Sequence, residues 1–192
     1  MAKRDPEASK RERNKMIRWV ITIFFVTILI SGAISLVSDE VMANSSLAVA
    51  FVILLAIIFV GIVFDIIGMA VATADEKPFH SMAARKVPGA QEAIRLLRNA
   101  ERVSSICNDV VGDICGVVSG SASATIATLI LMNADVGWPR GVSLVMSALV
   151  AGLTVGGKAV GKNIAVKSCT SIVYMVGRTV HAVNRITGKK KK

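Results

Sequence analysis

Apolar residues in this chain come in long runs, and the polar ones gather between them. Residues 19–37 carry no charge and are long enough to cross about 30 Å of hydrocarbon as a helix. A second run, 47–64, is interrupted by Asp65 and continues as IIGMAVATA. A third covers 114–132. A fourth starts at Val142 and passes Gly152 and Gly156 before it meets Lys158 and Lys162. The pattern predicts an all-α integral membrane protein with four transmembrane helices. The connections read as a short acidic and polar loop over 38–46, a polar and basic segment over 75–105, and a loop over 133–141. A Trp-Pro turn in the last of these places Trp138 as an interfacial anchor.

Two further stretches have helical periodicity on one face only. Residues 82–86 and 91–103 read as short helices joined at Pro88-Gly89, with Ala93, Ile94, Leu97 and Ala100 on one apolar face of the second. Over 167–186, Ile172, Val173, Met175, Val176 and Val180 lie opposite Lys167, Arg178 and Arg185. Both patterns fit juxtamembrane amphipathic helices that lie on a membrane or against the spans.

Composition agrees with this class. Of 192 residues, 53% are hydrophobic, and the mean hydropathy of +0.61 exceeds what a soluble domain of this size carries. The net charge of +10 does not point to nucleic acid, because the basic residues cap apolar runs and are not interleaved with aromatics. Of 23 Lys and Arg, all but Arg140 fall in 1–18, 74–105 or beyond 157. The positive-inside rule then places both termini and the middle segment in the cytoplasm of a multi-pass cell-membrane protein. Val41-Met42-Ala43 resembles a signal-peptide cleavage site, but the apolar region is too long and ends too early, so an uncleaved anchor is expected. The closing lysines over 187–192 suit anionic headgroups, and a plain solvated tail is equally consistent.

No nucleophile elbow, phosphate-binding glycine loop or zinc spacing is present, so no enzyme activity is expected. Cys107, Cys115 and Cys169 have no metal-ligand spacing and read as small packing residues. The candidate chemistry sits in 107–120, CNDVVGDICGVVSG. Gly112, Gly116 and Gly120 repeat every four residues, close to one helical stripe, and permit close backbone approach. Asp109 and Asp113 share that spacing about 100° away. These acids are either solvated at the cytoplasmic edge or line a polar cavity among helices. Counted from the outer ends at about 1.5 Å per residue, Asp65, Asp113 and Lys158 lie at one depth. Asp65, Asn108, Asp109 and Asp113 are the candidate oxygen-bearing site residues, and Lys158 or Lys162 is the candidate partner for a charge pair.

Three segments resemble, in order, the transmembrane domain of the CNNM/CorC magnesium and cobalt transporters. VFDIIGMAVAT at 63–73 is similar to that family's F-S-x-x-E-x-A-x-x-S signature. MAARKVPGAQEAIRLLRNAERV at 82–103 is similar to its juxtamembrane pair, and GGKAVGK at 156–162 to its last-span F-G-E-I-x-P-K. The resemblance covers 47–186, with juxtamembrane helices at 78–103 and 167–186. It implies a three-span core preceded by an extra N-terminal span at 19–37, a homodimer, and a Mg²⁺ site among the spans, without the family's cystathionine-β-synthase domain pair. Asp65 stands at the signature serine, Gly68 at its glutamate and Lys158 at the last-span glutamate. Lys162 keeps the family's lysine, and Gly161 replaces its proline. The family's Gly-Asn falls on Val110 and Val111, or on Gly112 and Asp113 after a two-residue shift. The resemblance thus implies a divalent-cation transporter with a diverged site. The alternative is a non-transporting adaptor or regulator whose site is locked by a Lys–Asp pair.

Overall fold

The computed structural model describes residues 6–43, 45–133 and 137–187. Among these residues the chain is mostly helical, with no strand and seven helices. They are α1 (Pro6–Ala43), α2 (Leu47–Thr73), α3 (Lys77–Ala84), α4 (Ala90–Arg98), α5 (Ala100–Asn133), α6 (Pro139–Lys167) and α7 (Cys169–Ile186). Four of them, α1, α2, α5 and α6, are long and apolar enough to cross a membrane. This is the all-α, four-span arrangement that the apolar runs predict.

Helix boundaries depart from the sequence expectations in several places. The tail expected to precede the first span is helical from Pro6, where a proline at the first position forfeits no intrahelical bond. Residues 38–43, expected in a loop, complete the same helix. That last stretch is held by tertiary contacts: Met42 is fully buried, and Asp39 finds hydroxyl donors on α5. The third span starts at Ala100 and not at residue 114, because the chain re-enters a helix directly after a break at Asn99 (φ −114°, ψ 28°). Ala100 therefore belongs to α5 and not to the amphipathic helix before it. The fourth begins at Pro139, inside the expected loop. The terminal lysines 189–192 lie outside the described residues.

Helix α2 is the centre of the bundle and packs against α5, α6 and α7. Two apolar clusters form along it. One joins Met42, Leu54, Ile58, Ile126 and Met146 from all four spans. Lipid tails are as apolar as these side chains, so close packing and not water exclusion holds this cluster. The other joins Val71 of α2 to Phe79, Ile94, Leu97 and Val173 of α3, α4 and α7. Those of its side chains that lie outside the bilayer are removed from water by this packing, at about 1.5–3 kcal/mol for each large one. Ala93, Ile94 and Leu97 are buried as the periodicity of α4 predicts. On α7 the buried line is Val173 and Gly177, while Met175 is exposed.

The turn between α3 and α4 determines how α7 sits. Lys86 (φ 55°) and Gly89 (φ 89°) both adopt left-handed backbone, which glycine tolerates at no steric cost. A Cβ on Gly177 would lie 2.6 Å from the Gly89 carbonyl oxygen, and one on Gly89 would lie 2.7 Å from the Arg178 nitrogen. The two backbones meet because both positions lack a side chain. The sequence pattern pointed elsewhere for such contacts. Gly116, Gly120, Gly152 and Gly156 have nothing within 4 Å of where a Cβ would be. Gly61 instead faces Cys115, and Gly161 faces Ile66.

Candidate intramembrane charge site

Asp65 occupies the face of α2 that turns toward α5 and α6, and it is 6% exposed. From α6, Lys158 brings its Nζ to 3.8 Å from Asp65 Oδ1, with the Lys158 side chain 23% exposed. This is an ion pair without the reach of a hydrogen bond. Gly112 of α5 closes the third side. A Cβ there would lie 3.4 Å from Lys158 Nζ and 4.0 Å from Asp65 Oδ1. Asp65 and Lys158 were expected at one depth from residue counts, and the fold brings them together.

The backbone of α5 changes character at this level. Ile106–Gly112 is a π-helical segment, with i→i+5 bonding that occurs mostly as short insertions and often at functional sites. It turns Cys107, Val110 and Gly112 inward. Asn108 lies against Gly68 of α2, so close that a Cβ on Gly68 would overlap the amide oxygen. The Asn108 Nδ2 donates to Ser104 Oγ at 3.3 Å. Among the described residues, neither Asn108 Oδ1 nor Asp65 Oδ2 has a hydrogen-bond partner, although both atoms are buried.

The other sequence candidates point away. Asp109 and Asp113 are exposed, and Asp109 accepts a hydrogen bond from Ser105 Oγ at 2.7 Å. Lys162 is exposed on α6. At this level the face of α5 that meets α2 and α6 carries Gly112, and the two acids lie off it. At Asp65 the paired groups are therefore one carboxylate and one ammonium, with the Asn108 amide placed against Gly68, one helical turn along α2. Among the described residues no group of three His, Cys, Asp or Glu is placed to hold a metal ion. As arranged, these side chains do not make an all-oxygen cage, which Mg²⁺ prefers. The three cysteines are free, with Cys107 buried.

Two polar contacts escaped the sequence reading. Asp39 on α1 accepts from Ser121 Oγ at 3.1 and 3.0 Å and from Thr125 Oγ1 at 3.4 Å. Ser121 and Thr125 share one face of α5 at helical spacing, but nothing in the sequence pairs that face with α1. His181 Nδ1 of α7 donates to Glu92 Oε1 of α4 at 3.0 Å. Burial raises the Glu92 carboxyl. The His181 hydrogen bond, the residue's own backbone N–H, and the charges of His181 and Arg95 outweigh it, so the carboxyl lies below its ordinary value. Comparison with family models, curated proteins and solved structures found no match to this chain.

Proposed function

We propose that this is a multi-pass membrane protein of the non-transporting kind, an adaptor or regulator built on a CNNM/CorC-like frame. In this reading the Lys158 ammonium stands where such transporters hold a cation. The observation that carries it is the Asp65–Lys158 pair, with Asp109, Asp113 and Lys162 turned out of the site. A bound divalent ion would need the ammonium to leave, and removing one charge from a buried pair is costly. A second reading, transport of Mg²⁺ or Co²⁺, is favoured by the two unpartnered buried oxygens, Asp65 Oδ2 and Asn108 Oδ1. Oxygen acceptors without donors suit a hard cation.

Melting temperature with and without millimolar Mg²⁺ separates the two. For the locked site, wild type should not respond, while Lys158→Ala should lose stability and regain part of it with Mg²⁺, by mass action on the vacated position. For a transporter, Mg²⁺ should stabilise wild type, and Asp65→Asn should abolish the effect. Mg²⁺ or Co²⁺ flux into proteoliposomes that depends on Asp65 would overturn the adaptor reading outright.

The homodimer that the resemblance implies belongs to the same proposal. Gly152 and Gly156 line an open apolar groove of about 670 Å³ between α2 and α6, where another helix could approach closely. Gly156→Leu should shift the oligomer in detergent toward monomer if that groove is the contact.

A further inference from the structure

Helix α7 is amphipathic twice over. Its Val173–Gly177 line covers α2 and α4, yet a second apolar line stays uncovered: Met175 is 69% exposed, Val183 55% and Ile186 87%. Arg178 and Arg185 run along one side of that line and are exposed. Arg178 lies over the Tyr174 ring at 6.0 Å, which orients the guanidinium and keeps it extended along the helix surface. The two residues border a shallow groove of about 590 Å³ together with Ser171, Met175, Thr179 and Ala182. Thr179 spends its own hydroxyl proton on the Met175 carbonyl.

Charge along the C-terminal part of the chain has one sign. No acid occurs anywhere after Asp135, whereas Lys158, Lys162, Lys167, Arg178, Arg185 and four terminal lysines follow it. Glu92, an acid of α4 that reaches α7, is held by His181. Only Ser168 separates α7 from α6, so the helix starts where a span ends. A face that is basic, apolar between its charges and placed at a membrane boundary fits a surface that offers phosphates above hydrocarbon. Nucleic acid would meet the arginines but leave Met175, Val183 and Ile186 in water.

We propose that the Tyr174–Arg178–Arg185 face of α7 is a docking surface for anionic phospholipid of the adjacent leaflet. Arg178 receives the phosphate, and Met175, Val183 and Ile186 enter the acyl boundary. The full-length chain, reconstituted in bilayers of phosphatidylcholine with a minority of phosphatidylglycerol, tests this through the relative association of spin-labelled forms of the two lipids. Wild type should prefer the anionic lipid. Arg178→Gln, which retains much of the stem packed over Gly89, should reduce the preference about five-fold, the worth of one basic residue at a charged surface. Arg185→Gln, in the exposed last turn, should do the same where folding of the first variant is in question. Arg178→Lys should keep most of the preference, and Arg13→Gln, far along the sequence on α1, should keep all of it. Equal association of both lipids with wild type overturns the proposal. So does an unchanged preference in both glutamine variants, or loss of the preference to soluble glycerol phosphate or to an oligonucleotide at matched charge.

Discussion

Asp65 and Asp39 are both carboxylates on membrane-length apolar helices, and the fold accommodates them in opposite ways. Asp65 meets a cation, Lys158, at 3.8 Å and leaves one oxygen without a donor. Asp39 meets no cation within salt-bridge reach among the described residues. Its oxygens instead accept three hydroxyl contacts from Ser121 and Thr125. An ion pair acts over distance and tolerates loose geometry, whereas hydroxyl donors must come within hydrogen-bond range. The helix contacts reflect this. α1 reaches its acid's partners along one face of α5, while Asp65 needs three helices, with Gly112 keeping the third close. A charge balanced by one counter-charge depends wholly on it. A charge shared among hydroxyls loses support by parts.

That contrast is broken most directly at Lys158. Lys158→Met should destabilise the protein by about 3–5 kcal/mol in denaturant titrations in detergent, because it leaves Asp65 buried and unpaired. The double variant Asp65→Leu/Lys158→Met should recover most of the loss, since apolar replacement of both partners is near neutral or better. A silent Lys158→Met would mean that water, and not the ammonium, balances Asp65, and the two sites would then be alike.

At the other carboxylate the expected effect is smaller. Ser121→Ala removes the two shorter contacts to Asp39 and should cost about 1.5–3 kcal/mol, the range for a hydrogen bond to a charged group. Thr125→Val, which removes a contact of 3.4 Å, should cost less. Combined with Lys158→Met, Ser121→Ala should add within about 0.5 kcal/mol if the sites are independent. A larger coupling, measured by the same titration, would join them into one network through α5.

The weakest effect is expected at an acid outside the spans. Glu92 holds its proton less tightly in the folded protein than its ordinary value of 4.5 implies. Its contribution is therefore complete above that value and is lost as pH falls through the lower folded one. Protection of α7 amides from hydrogen exchange should fall in that acid window by about 1 kcal/mol or less, as for a partly exposed pair. Glu92→Gln should flatten the dependence. An unchanged acid limb in that variant would assign the loss to other carboxylates.

The sequence by itself determined the class and the number of candidate spans. Long apolar runs have few other solutions, and a fixed rise per residue converts position into depth wherever the spans lie near one another. On that basis Asp65, Asp113 and Lys158 share one level; Asp65 and Lys158 do meet, while Asp113 is exposed. Residue counts carry no information on which way a helix is rotated about its axis. Gly112 turned inward and Asp109 and Asp113 outward because neighbouring helices select the face, and the π segment at Ile106–Gly112 shifts the phase that a constant 100° step assumes. The same holds for Asp39, 82 residues from Ser121, and for the Gly89–Gly177 contact. Such pairings exist only once the helices are packed, because they depend on which surfaces touch and not on any periodicity within one segment.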